Sequence, residues 1–395
     1  MVSNTRGDTT KGDFKSYNYP DRNLVIKWTD NSRGDGAAIR DAEVNAKNLT
    51  INANFSGNER TDKGVISDAA THIKASGDIN IATNNDSVYT EGKGTTTIEG
   101  FKNLNITSSI AGYGLVDNGG GITVSGGTGS SVTIKNSGLA EDAHPTVGNS
   151  LWNSLWTGRG SALGKGITVK ADKIQIQSDY KSIIAGQGKG GEKFTVDLNA
   201  HAVDVIGTIS GIGGDIFINS DTNGTVTLSS ANKTENGRLS GEQSIDLMSN
   251  DTSGSNLTIN KNAKGLVQIL GEIQVVGEDS SVLANMTGDG SFVNTRADGT
   301  NSSQFWKDAI EAYGGGTVTL NMSGNNSYIR GDMNSENDGN ITVNATGDNF
   351  TMSRSYTGDP IYENSLLKVT SGATANILIS GDNGKVRSEE RRVGK

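Results

Sequence analysis

Three Arg-Gly-Asp tripeptides occur in this chain, at Arg6-Gly7-Asp8, Arg33-Gly34-Asp35 and Arg330-Gly331-Asp332. Composition alone predicts well below one. On an exposed loop, such a tripeptide offers its carboxylate to a receptor-bound cation and its guanidinium to a receptor carboxylate. The competing reading is that Gly-Asp is turn material here, and the third copy follows a repeat strand where a turn belongs. His72, His144 and His201 are scattered without metal-ligand spacing, and neither a GxSxG elbow nor a GDSG-type nucleophile motif is present. Glu141/Asp142 and Glu278/Asp279 are adjacent pairs. Neighbours on a strand point to opposite faces, so they do not form the facing carboxylates that glycoside chemistry needs. GIGGDIFI (residues 211–218) is a lone echo of calcium-binding nonapeptides, which work only in tandem. The Gly-rich stretches lack the Lys and helix of a phosphate loop. The sequence therefore offers no catalytic residue, no metal ligand and no cofactor site. The candidate contacts are aromatic: Trp152, Trp156, Phe305 and Trp306, which sit where the regular pattern breaks.

That pattern is made of short runs in which two apolar residues flank a polar one. NLVIKW, NLTINA, DINIAT, NLNITS, GITVSG and SVTIKN occupy the first third, and GITVKA, KIQIQS, DIFINS, TVTLSS, NLTINK and LVQILG continue it. The alternation puts aliphatics on one face and Thr, Asn or Gln on the other. Three later segments repeat one theme: VLANMTGDGSF from Val282, VTLNMSGNNSY from Val318 and ITVNATGDNFT from Ile341. The second step, 341 − 318, is 23 and the first, 318 − 282, is 36; excising Asn301 to Tyr313 shortens the first to 36 − 13 = 23. A fixed period of short strands and turns predicts an all-β solenoid whose coils stack like on like. At that period the chain makes about 16 turns, a rod on the order of 75 Å long. Asn and Thr at equivalent positions are expected to stack in ladders.

Composition agrees with a narrow core. Hydrophobic residues are 33% and aromatics 5%, with 54 Gly and 3 Pro, which suits many tight turns. A net charge of −9 without a basic stripe argues against nucleic-acid binding. The absence of Cys excludes disulfides and thiol chemistry. No stretch approaches the ~20 apolar residues of a spanning helix. The first residues hold no apolar signal core, which leaves a cytosolic protein or a piece of a longer one as alternatives.

The expected organisation is a polar segment at 1–22, a solenoid at 23–384 and a charged tail at 385–395 that is not necessarily native. Insertions are expected near 137–160 and 301–316. The second reads as a short helix capped by Ser302 or Ser303, with Phe305, Ile310 and Tyr313 near one face and Gly314 to Gly316 stopping it.

LNMSGNNSYIRGD, ITVNATGDNF, GITVSGG, NLTIN and ILISGDN resemble the passenger region of bacterial autotransporters, over about residues 23–384. The resemblance implies a single-stranded right-handed parallel β-helix displayed on an outer membrane. It further implies contact with a host or bacterial surface protein or glycan, as in adhesion or biofilm formation. The chain departs from a complete member in lacking the amphipathic strands of a translocating barrel. Two other readings remain open: a carbohydrate-active β-helix enzyme and a purely structural stalk.

Overall fold

A computed structural model describes residues 15–30, 36–55, 63–108, 113–136, 147–148, 164–187, 192–230, 234–235, 238–239, 243–249, 253–262, 264–294, 308–353 and 366–387. These residues form strands and turns only. Nearly all the strands join one parallel system, in which each coil supplies a strand to each of three walls and pairs with the coils before and after it. The architecture is an all-β parallel solenoid.

The first wall follows one ladder, Tyr17, Val44, Ile73, Ile98, Val124, Val169, Leu198, Ile218, Ile259, Ala284, Leu320, Val343 and Ile377. Thirteen rungs thus stack among the described residues, and the mean step between rungs, (377 − 17)/12, is 30. The expected period of 23 and the expected 16 turns are corrected by this register: 23 is the step from Leu320 to Val343, where the corners are tight. Twelve intervals at ~4.8 Å give a rod of roughly 58 Å. The second wall begins at residues 23–30 and ends with Lys385–Arg387, so the last coil takes in the first three residues of the expected tail. The first rung likewise starts at Lys15, inside the expected polar segment.

Alternation decides which side chains enter the core. Ile79 and Ile81, Leu104 and Ile106, Val132 and Ile134, and Ile174 and Ile176 stack as two continuous apolar ladders on the second wall, all at most 1% exposed. Each such aliphatic contributes about 1.5–3 kcal/mol of burial. Outward positions on the first and second walls carry amides that bond lengthwise. Asn105 Nδ2 donates to Asn80 Oδ1 at 2.9 Å, Asn321 Nδ2 to Asn285 Oδ1 at 2.8 Å and Asn344 Nδ2 to Asn321 Oδ1 at 2.9 Å. The expected Asn ladders are therefore present.

The repeated TGDG, SGNN, TGDN and SGDN segments turn the chain from the first wall to the second. The last residue of each takes a left-handed backbone, with φ of 75° at Gly290, 57° at Asn326, 58° at Asn349 and 60° at Asn383, which explains why only Gly or Asn stands there. The residue before it builds a ladder: Asp289 Oδ1 accepts from Asn325 N at 2.8 Å, Asn325 Oδ1 from Asp348 N at 2.9 Å and Asp348 Oδ1 from Asp382 N at 2.8 Å. The leading glycines are set by close approach. A Cβ on Gly324, Gly347 or Gly381 would collide with the carbonyl oxygen of the equivalent glycine one coil below.

The expected helix is overturned over its described part, and its expected caps Ser302 and Ser303 lie outside the described residues. Asp308–Tyr313 is a strand of the third wall, paired with Glu272–Val276 on one side and Asp332–Glu336 on the other. Ala309 and Ile310 are both buried because the register shifts between Asp308 and Ile310. That bulge removes the period-two signature and leaves an Ala- and Glu-containing run with helical propensity, which stacking overrides. The extra length does exist, displaced from 301–313. Asn294 pairs with Arg330 and Ile310 with Met333, so this coil takes 310 − 294 = 16 steps where the next takes 333 − 330 = 3.

Candidate functional site

Connection lengths single out one edge of the rod. No corner between the first and second walls holds more than six residues. Between the third and first walls only one connection exceeds eight, the stretch between Gly148 and Ile167, whose length is 167 − 148 − 1 = 18 and which contains Trp152 and Trp156. Between the second and third walls four connections reach ten or more: 147 − 136 − 1 = 10, 243 − 229 − 1 = 13, 308 − 294 − 1 = 13 and 367 − 353 − 1 = 13. The last three alternate with connections of one residue, Gly271 and Gly331. They therefore leave the same edge about 10 Å apart, at two ~4.8 Å rungs each. The first of these three contains an antiparallel pair, Thr234–Glu235 with Arg238–Leu239. Phe305 and Trp306 belong to the second. All four aromatic candidates lie outside the described residues, as do Arg6-Gly7-Asp8 and Arg33-Gly34-Asp35; the latter tripeptide is in a connection at this same edge.

Arg330-Gly331-Asp332 is described. Arg330 ends a second-wall strand and is exposed, Gly331 has φ of 136°, and Asp332 opens a third-wall strand at 3% exposure. The tripeptide is a corner of the coil with its Asp buried.

Carboxylates line the foot of this edge. Asp308 and Asp332 are register partners on adjacent rungs, and Glu311 stands in the row of Gln274 and Asn334. Gln274 Nε2 donates to Glu311 Oε2 and Asn334 Nδ2 to Asp308 Oδ2, both at 2.6 Å. Burial first, then the charges of Asp332 and Glu311, push Asp308 up to about 6, against the lowering effects of the Asn334 bond and Lys368. Lys368 is itself raised by its hydrogen bond and ion pair with Glu336. Farther down the third wall, burial raises Asp246 and lowers Lys181, and each charge partly counters the other's desolvation. No group of three or more His, Asp or Glu side chains among the described residues is arranged to hold a metal ion.

A second concavity runs across the corner between the first and second walls. Small residues, Gly126, Gly127, Ala171 and Ala200, leave a groove of about 340 Å³ over four coils. His201 and Asp221 stand at one side with Nδ1 and Oδ1 2.7 Å apart, both about half exposed. His72 is on the first wall, 3.2 Å from Glu99 and 3.7 Å from Glu43; His144 lies outside the described residues. Sequence reasoning missed the His201–Asp221 pair because the two meet only through the coil from Leu198 to Ile218, the shortest in the ladder. It also missed the acidic row, whose members come from successive coils. Glu278 and Asp279 occupy a tight turn, with Asp279 at φ 61°.

No helix among the described residues is long and apolar enough to cross a membrane. No protein-family model matches the chain, and neither a curated protein nor a solved structure is found to be similar to it.

Proposed function

We propose that this chain is a contact module, an adhesin-like passenger of autotransporter type that is displayed at a cell surface and engages a surface protein or glycan through its loop-bearing edge. The observation that carries the reading is the set of long connections between the second and third walls, three of them equal in length and on alternate rungs. In a repeat rod, insertions gathered on one side mark the side free to vary while stacking fixes the rest, and four of the five connections of ten or more residues lie at this edge. A surface role also fits a rod held together by coil-on-coil stacking and hydrogen-bonded ladders. The coil is read as right-handed, because connections between parallel strands of one sheet are overwhelmingly of that hand.

The test is to replace residues 295–307 with a single Gly, copying the Arg330-Gly331-Asp332 corner, and to shorten 230–242 and 354–366 in the same way. Circular dichroism should retain the β signal, while attachment of cells displaying the chain should fall to background. Unchanged attachment by a folded variant would leave the stalk reading standing in its place.

One observation favours a second reading, that of a carbohydrate-active enzyme. Asp308, held near pH 6 beside Asp332 and Glu311, has the proton affinity of a general acid. Release of reducing sugar from a glycan panel, abolished by Asp308→Asn, would support it; no release by the wild-type chain would remove it.

A further inference from the structure

The groove between the first and second walls lies on a different corner from the long connections. On the first and second walls, outward amides bond lengthwise to their equivalents one coil away, as in the Asn80–Asn105 and Asn285–Asn321–Asn344 ladders. Across the groove such pairing is present but incomplete. Lys170, Asp172 and Asn199 line the opening, and among the described residues neither the Lys170 ammonium nor the Asp172 carboxylate has a side-chain partner. Asn199 accepts one bond through Oδ1, from Asn219 Nδ2 at 3.2 Å, which leaves its own amide N–H groups pointing to no partner. His201 engages Asp221 through Nδ1 alone, so the ring is held in one orientation with Nε2 directed away from that bond.

The chemistry of this set defines what it fits. The Lys170 ammonium and the Asn199 amide N–H supply donors, while two carboxylates, Asp172 and Asp221, and the His201 Nε2 lone pair left by the Nδ1–H bond supply acceptors within the same opening. A polyanion would meet two like charges and one opposite charge. A polycation would meet the Lys170 ammonium as a like charge and has no acceptors to offer that ammonium or the amide. Hydroxyl groups both donate and accept, and they carry no charge to be repelled. The groove extends over four rungs, about 14 Å at ~4.8 Å per rung, which is the length of a short oligosaccharide. Its volume of about 340 Å³ is at the small end of ligand sites.

We propose that this groove binds a neutral polyhydroxylated chain, a segment of glycan lying along the rod axis, with Lys170, Asp172, Asn199 and the His201–Asp221 pair as its hydrogen-bonding contacts. The site is separate from the loop-bearing edge, so its test and that of the contact role fail independently.

The experiment is saturation-transfer NMR followed by calorimetric titration of the full chain with neutral gluco-, manno- and N-acetylglucosamine tetrasaccharides, with a galacturonic acid tetrasaccharide as the charged comparison. One neutral sugar is expected to bind. Asp172→Asn and His201→Ala should each weaken it at least tenfold. His72→Ala, on the first wall outside the groove, should leave affinity unchanged. Absence of binding by every neutral sugar at millimolar concentration would overturn the proposal. So would tighter binding of the uronate, or wild-type affinity in folded Asp172→Asn and His201→Ala chains.

Discussion

Replacing Asp308 by Asn should stabilise the C-terminal coils at neutral pH and do nothing in acid. Asp308 is raised from 3.8 to about 6, so its folded form holds a proton that the unfolded form has already released. A raised carboxyl favours the folded state fully below about pH 4 and loses that advantage as pH climbs through 6. The difference of 6 − 3.8 = 2.2 pH units corresponds to at most about 3 kcal/mol, and partial screening reduces the expected gain to about 1–3 kcal/mol. The introduced amide would keep an oxygen at this position while removing one of three mutually repelling charges, with Glu311, Asp332 and the Lys368–Glu336 pair left in place. Because a solenoid opens coil by coil, the readout should be local. Hydrogen exchange of Asp308–Tyr313 and Asp332–Glu336, converted to opening free energies, is measured at about pH 4.5 and 7.5. Wild type should lose protection between the two, and the variant should lose less. Equal losses in both chains would refute the assignment of the repulsion to Asp308.

Three further outcomes rest on the stacking itself. Gly347→Ala drives a methyl into the carbonyl of Gly324 and should cost about 1–3 kcal/mol, seen as lost protection of Asn340–Ala345 and Thr374–Ile379; Asn349→Ala, at φ 58°, should cost about 1–2 kcal/mol in the same coils. Asn321→Ala breaks the bonds to Asn285 and Asn344 and should destabilise by about 1 kcal/mol in urea titration, whereas the same change at Thr319, outside that ladder, should fall within about 0.5 kcal/mol.

The fold was legible because its information is local. The alternation in DINIAT, NLNITS and SVTIKN coincides with the strands Asp78–Thr83, Asn103–Ser108 and Ser131–Asn136. The alignment of Val282, Val318 and Ile341 is also the hydrogen-bonded register. The period was misjudged because the repeats that resemble one another most are those with the tightest corners, and they understate the mean coil. The helix error has the same origin at smaller scale, since Ala309 and Ile310 turn inward together at a bulge that no period reveals. Neither the groove nor the acidic row was visible, because both assemble residues from different coils. Which residues meet depends on the length of every intervening corner, and those lengths vary from a single residue to 18.

The lengthwise direction of the backbone bonds has a mechanical consequence. When the two ends of the rod are pulled apart, the load falls on the interface between one coil and the next, which opens bond by bond without shearing. Each coil that leaves the stack gives up ~4.8 Å of rod and releases, on average, about 100 Å of extended chain. The releases are unequal, since the step between rungs runs from 218 − 198 = 20 for the smallest coil to 169 − 124 = 45 for the largest. A tethered rod built this way yields under tension in discrete lengths, each coil lengthening about twentyfold before the next lets go.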